Sequence, residues 1–244
     1  WALTDIAQVR GPAYDKDRVK VESVAPVFEM VYCEAFRVVG KLNHVAGQPN
    51  SFIQRDRVEV GPGHEYLIIV YQTPEPPWAE PPGSRFHLVM YFRRAIPAGP
   101  PSKFDALWKR FREGDDAFRV ARWKVLPHLA DGPWAVSFAM GSKPALLASK
   151  LRHTWHIGAD YVEIDCDVGA SLSYLPAIST LIGLLQQYAS RLIIDTGFAV
   201  QAEGEDELPE VVVACARLHH MSPAAGPVVT LPPEVLEAPS PKKK

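Results

Sequence analysis

Cysteine is scarce: the 244 residues hold three, Cys33, Cys166 and Cys215, far apart and set in apolar runs. An odd, widely spaced set suits neither a disulfide framework nor a CxxC metal site, and leads us to expect buried thiols in a reducing, cytoplasmic setting. Glycine-rich phosphate loops, HExxH and GxSxG are missing too, which removes the most specific nucleotide, zinc and serine-hydrolase signals. No run reaches the roughly 18 to 20 apolar residues of a membrane span. The longest candidate, around 175–200, is broken by Gln186, Gln187, Arg191 and Asp195. Strong net charge is lacking as well, at -2, so nothing pulls the chain globally toward nucleic acid and any attraction to a membrane must be local. From Trp1 onward there is no basic region leading into a short apolar core, so no signal peptide is expected.

What is present is a core's worth of apolar residues, 47% of the chain, enough for one sizeable domain. Runs rich in β-branched and aromatic residues read as strands over 28–39, 65–73, 85–94, 120–126 and 134–140, and in the opening stretch. Their connectors are mostly too short for crossover helices, which favours antiparallel pairing. Two helices stand out. "PSKFDALWKRFREG" begins at a cap on Ser102, puts Phe104, Leu107, Trp108 and Phe111 on one face and stops at Gly114. "LPAISTLIGLLQQYAS" spaces Ile178, Leu181, Ile182, Leu185 and Tyr188 helically. Strands follow in "RLIIDTGFAV" and "VVVACARLHH", the latter open to a short helix leading into a strand. Residues 1–221 read as a single domain, and the Pro- and Ala-rich 222–244, ending in three lysines, as a flexible tail.

"YVEIDCDVG" raises the chemical question. Glu163, Asp165 and Asp167 alternate with apolar residues, so in a strand all three acids share one face. Neighbouring acids about 7 Å apart repel by roughly 2 kcal/mol at an effective dielectric near 20. Such a row faces solvent, pairs with cations or binds a metal. Pairing with Arg122, Lys124, Lys143 and Lys150, from nearby blocks, is the favoured expectation, which makes the acids structural and assigns no metal or other cofactor. The histidines of "HTWH" and "LHH" lack local acidic partners for metal or catalytic work.

Ordered blocks carry a resemblance. "AQVRGPAYDKDRVKV", "FREGDDAFRVARWKVLPHLADGPWAV", "MGSKPALLASKL", "GADYVEIDCDVGASLSY", "RLIIDTGFAVQ" and "ELPEVVVACARLHHM" run in sequence from about Asp5 to Met221. They resemble the Enhanced Disease Resistance protein C-terminal domain family of plants, algae and other protists, whose members often follow pleckstrin-homology and START domains. The chain departs from the family pattern at Gly169, Ala170 and Ser171, where a serine pair is common, and at Trp123, where Phe is commoner. The resemblance implies a cytosolic, membrane-associated, lipid-handling context and supplies no catalytic residue.

Together these readings give an α+β fold: a curved, mainly antiparallel sheet packed around a long helix, START-like (helix-grip-like), with an apolar cavity. The leading function is non-catalytic lipid binding or lipid transfer at the membrane periphery. Ile178, Leu181, Ile182, Leu185, Trp123 and Phe138 would line the lipid site, for an acyl chain or sterol. Arg122, Lys124, Lys143 and Lys150 would serve an anionic headgroup or the ion pairs, and an anionic membrane surface would be the partner. The stretch from Lys103 to Lys124 has seven basic and four acidic residues, enough for weak, salt-sensitive attraction. Two alternatives stay open: a protein-interaction scaffold with a filled core, and a metal-dependent enzyme using Glu163, Asp165 and Asp167.

Overall fold

The computed structural model describes residues 8–74, 81, 83–141, 145–171, 175–221 and 227–229. In chain order the elements are β1 (Gln8–Arg10), α1 (Tyr14–Asp17), β2 (Lys20–Glu22), β3 (Glu29–Val39), α2 (Phe52–Val60), β4 (His64–Pro74) and β5 (Ser84–Ala95). There follow α3 (Lys103–Glu113), α4 (Asp116–Arg122), β6 (Trp123–Asp131), α5 (Trp134–Met140), β7 (Arg152–Ile157), β8 (Tyr161–Asp167), α6 (Pro176–Tyr188), β9 (Ile193–Val200), β10 (Ala214–His219) and β11 (Val228–Val229). The fold is α+β. Its centre is a six-stranded sheet in the order β11-β3-β5-β4-β8-β7, accompanied by a three-stranded sheet, β10-β9-β6. Most pairs are antiparallel; β4 with β8 and β11 with β3 run parallel.

Strands β4 and β5 are apolar on both sides because both faces of the central sheet are covered. One face sends Leu67, Ile69, Met90, Phe92, Val162 and Ile164 against the three-stranded sheet and α3, where Trp108, Phe111, Trp123 and Phe198 complete the core. Trp123 stacks on Phe198 with ring centroids 5.6 Å apart. The opposite face packs Tyr66, Ile68, Val70, Val89 and Tyr91 beneath Leu42, Val45, Ala46 and Ile53, from the segment that leads into α2.

Helix α3 forms as its sequence dictates. Ser102 and Asp105 make a reciprocal capping box, satisfying amides that the first turn leaves open, and Leu107, Trp108 and Phe111 are buried.

Three expectations are corrected. The run 134–140 is helix α5, not a strand: Pro133 fixes its start, Gly141 ends it with a positive φ of 66°, and Val136 alone is buried. The run 120–126 divides, with α4 ending at Arg122 and β6 starting at Trp123, so Arg122 and Lys124 do not project from one strand. Among the described residues no long helix is gripped by the sheet. α6, the longest of the described helices at 13 residues, has no fully buried side chain and rests on Leu151, Cys166 and Val168 through Leu175, Ile178 and Ile182. From the stretch expected to be a tail, Val228–Val229 pair in parallel with Arg37 and Val38 at the sheet edge, while 222–226 and 230–244 lie outside the described residues. No described helix is long and apolar enough to cross a membrane.

Candidate functional site

The acids of β8 lie inside the protein. Glu163, Asp165 and Asp167 are 0%, 1% and 5% exposed, and their strand's other face carries Val162, Ile164 and Cys166 into the apolar clusters. Burial on this scale demands donors, and the main supply is backbone. In the segment before α2, His44 takes a left-handed conformation (φ 55°, ψ 57°) and opens a short 3-10 turn over Val45–Gly47. That reversal turns successive N–H groups toward the sheet. His44 N–H donates to Asp165 Oδ2 at 3.0 Å, Val45 N–H to Glu163 Oε1 at 2.5 Å and Ala46 N–H to Glu163 Oε2 at 2.7 Å. Gly47 allows the turn to close, since a Cβ there would stand 2.8 Å from the His44 ring.

Side chains complete the arrangement. His156 Nε2 donates to Asp165 Oδ2 at 3.1 Å. The His44 ring stacks on His156 and is hydrogen-bonded to the Tyr161 hydroxyl at 2.6 Å. Asp167 pairs with Arg85 at 3.1 Å and Lys41 at 3.5 Å. Burial, then the neighbouring Asp165 charge, pushes the Glu163 carboxyl well above its usual range. Among the described residues Asp165 Oδ1 is buried without a hydrogen-bond partner. Burial likewise lowers His44, and drives His87, in the same layer, down to about 4.

Two of the cations expected beside this row, Arg122 and Lys124, are engaged elsewhere, a correction to the expected pairing. Arg122, at the end of α4, pairs with Glu203 and Glu207, and Lys124 on β6 pairs with Glu210; both belong to the three-stranded layer on the far side of the central sheet. Lys150 is exposed, and Lys143 lies outside the described residues. Sequence reasoning missed Lys41, His44 to Ala46, Arg85 and His156 as partners. For Lys41 and His44 to Ala46 the local signal is the glycine-bounded stretch "GKLNHVAG". Among the described residues, no three His, Cys, Asp or Glu side chains converge as metal ligands.

The expected lipid-lining residues do not meet around one space. Trp123 is 1% exposed and fills the core. Ile178 and Ile182 seat α6 on its small cluster, while Leu181 and Leu185 remain half-buried. Phe138 points outward: it and Trp134, one helical turn apart on α5, are each 76% exposed and stack with ring centroids 5.4 Å apart. Helices α5 and α6 are packed neighbours, and between them they carry five of the six expected positions, Phe138, Ile178, Leu181, Ile182 and Leu185. A separate cleft of about 310 Å³ beside α3 is lined by Glu65, Arg94, Asp105 and Arg112 among others. Arg94 bridges Glu65 and Asp105 there, and Ile96, Trp108 and Ile157 supply apolar lining.

No solved structure matches the chain. A relative in Arabidopsis thaliana named "Protein ENHANCED DISEASE RESISTANCE 2-like" is 27% identical over 225 residues, covering 91% of this chain and 28% of the relative. The chain thus spans little more than a quarter of that protein's length. The family model described as "Protein ENHANCED DISEASE RESISTANCE 2, C-terminal" matches residues 2–222, from before β1 to beyond β10, and the chain belongs to that family.

Proposed function

We propose that the chain is a non-catalytic module that binds lipid at a membrane periphery, on the cytoplasmic side, through the α5–α6 surface and without enclosing a lipid. The observation that carries this reading is the stacked Trp134–Phe138 pair, both rings 76% exposed. Large aromatic rings left together on the surface signal an interaction site, and beside the half-buried leucines of α6 they form a face that dips into the headgroup boundary of a bilayer. Withdrawing each ring from water is worth about 3 kcal/mol. Two rings therefore support reversible attachment. The lipid-handling context implied by the family resemblance supports the choice of lipid over protein.

The deciding experiment is flotation with phosphatidylcholine vesicles of the whole chain and of the Trp134→Ala/Phe138→Ala variant. Binding by the parent chain that the variant loses, with melting unchanged, is the expected outcome. A parent chain that ignores vesicles would leave the interaction scaffold as the better account.

A further inference from the structure

Neither helix of the α5–α6 surface carries a charge. From Gly132 to Ser142 and from Val168 to Ser190 the sequence holds no Asp, Glu, Lys, Arg or His, and the whole of α5 and α6 falls within those stretches. A helix at the surface ordinarily turns charged residues outward. Here the exposed positions are Trp134, Ser137 and Phe138 on α5, and on α6 they include Ser179, Gly183 and Gln187. Those three are four residues apart and so lie in one row, while Ile178 and Ile182 seat the helix on its apolar cluster.

Gly183 is unusual in that row. Glycine weakens a helix interior, and a Cβ added here would meet no described atom within 4 Å, so packing within the protein does not call for it. Bare backbone at this point lets the outer face of α6 lie close against something outside the chain. Electrostatic attraction is not supplied by the basic stretch of α3 and α4 either: six of the seven cations from Lys103 to Lys124 pair with acids.

We infer that the α5–α6 surface selects bilayers whose headgroups are loosely packed, as on strongly curved vesicles, and is indifferent to anionic lipid. A ring as large as that of Trp134 needs a gap between headgroups to enter, and a flat, tightly packed bilayer offers few. Helices rich in Lys and Arg are drawn to the surface by anionic headgroups. With no such attraction, adsorption depends on gaps already present, which makes it sensitive to curvature. This inference rests on the membrane reading above and adds to it the kind of membrane.

The test is flotation of the whole chain with phosphatidylcholine vesicles about 30 nm and about 200 nm across, where the smaller should bind about tenfold more strongly. Adding phosphatidylserine, or raising salt to about 0.5 M, should change neither value. Ser179→Lys/Gln187→Lys puts two cations at exposed positions and should create binding to large phosphatidylserine vesicles that the parent lacks, with melting unchanged. If that variant does not fold, the size preference of the parent decides alone. Equal binding to both sizes, or a preference for phosphatidylserine that salt removes, would overturn the inference; the α5–α6 reading would stand so long as Trp134→Ala/Phe138→Ala still abolishes attachment. A parent chain that binds vesicles of neither size would sink that reading and this inference together. A dimer that the same double variant turns into monomers would give the face to a second copy of the chain, and would likewise overturn both.

Discussion

His44 and His156 stack face to face above the Asp165 carboxylate, ring centroids 4.4 Å apart and planes 6° from parallel. One ring comes from the covering segment and the other from the edge strand β7, so the contact joins the lid of this layer to its wall. Burial and then the neighbouring His156 both hold the His44 ring below the ordinary histidine value.

Acid should therefore loosen the domain from this side. His44, His87 and His153 are all lowered by burial, so between pH 6.5 and the native values the unfolded chain binds protons that the native chain does not. Stability is complete above pH 6.5 and falls as pH drops, for His87 down to about 4. His87→Gln removes that titration and should shrink the loss between about pH 7 and about pH 4.5 by up to about 3 kcal/mol in urea titrations. An unchanged slope would exclude His87 as a source of acid sensitivity.

Glu163 acts with the opposite sign. Its raised value makes its contribution fullest below the unfolded carboxyl range and draws it away as pH rises through the native value. Asp165→Asn keeps Oδ2 for His44 and His156 and puts an amide where the unpartnered Oδ1 now lies. Repulsion with Glu163 ends and a donor is gained, so stability at neutral pH should rise by about 1 kcal/mol. Measured destabilisation of similar size would show that the lone oxygen has a partner of its own.

Trp123 tests the filled core against a lipid-lined one. It is 1% exposed and contacts the Phe111 and Phe198 rings. Trp123→Ala should cost about 3 to 5 kcal/mol in chemical denaturation. A loss under 1 kcal/mol, about the size of a surface change, would mean that the site is loosely packed.

The cap on α3 gives a smaller, local test. Ser102→Ala removes the hydroxyl that accepts from Asp105 N–H at 3.1 Å and should cost about 1 kcal/mol, read as a drop in melting temperature. No change would mean that packing of Trp108 and Phe111 holds the helix by itself.

Helix α3 was legible because its cap, its apolar stripe and its terminal Gly114 lie within one short stretch. So was β8, whose acids and apolar residues alternate without a break. The run from Trp134 to Met140 was not: Trp134, Val136, Phe138 and Met140 satisfy a period of two, while Trp134 and Phe138 also satisfy a helical turn. Only the outward direction of both aromatic rings separates the two readings. For the acids, alternation fixes that they share a face but cannot say which face is buried. That depends on amides of His44, Val45 and Ala46, more than a hundred positions earlier, and backbone donors leave no trace in residue identity. Local charge counting pointed instead to Arg122 and Lys124, which the turn from α4 into β6 carries to the other side of the sheet.

The parallel seam between β4 and β8 has a consequence for how the gene can be divided. β3, β4 and β5 precede α3, and β7 and β8 follow it, so a cut between Ile96 and Ser102 would pass through no strand yet separate the two sides of the central seam. One fragment would keep the covering amides and the other the carboxylates they hold. Neither piece is a smaller domain. Each would be half of a lock, expected to regain order only when the two are expressed together, which makes this linker a natural place for a split reporter and a poor one for a domain boundary.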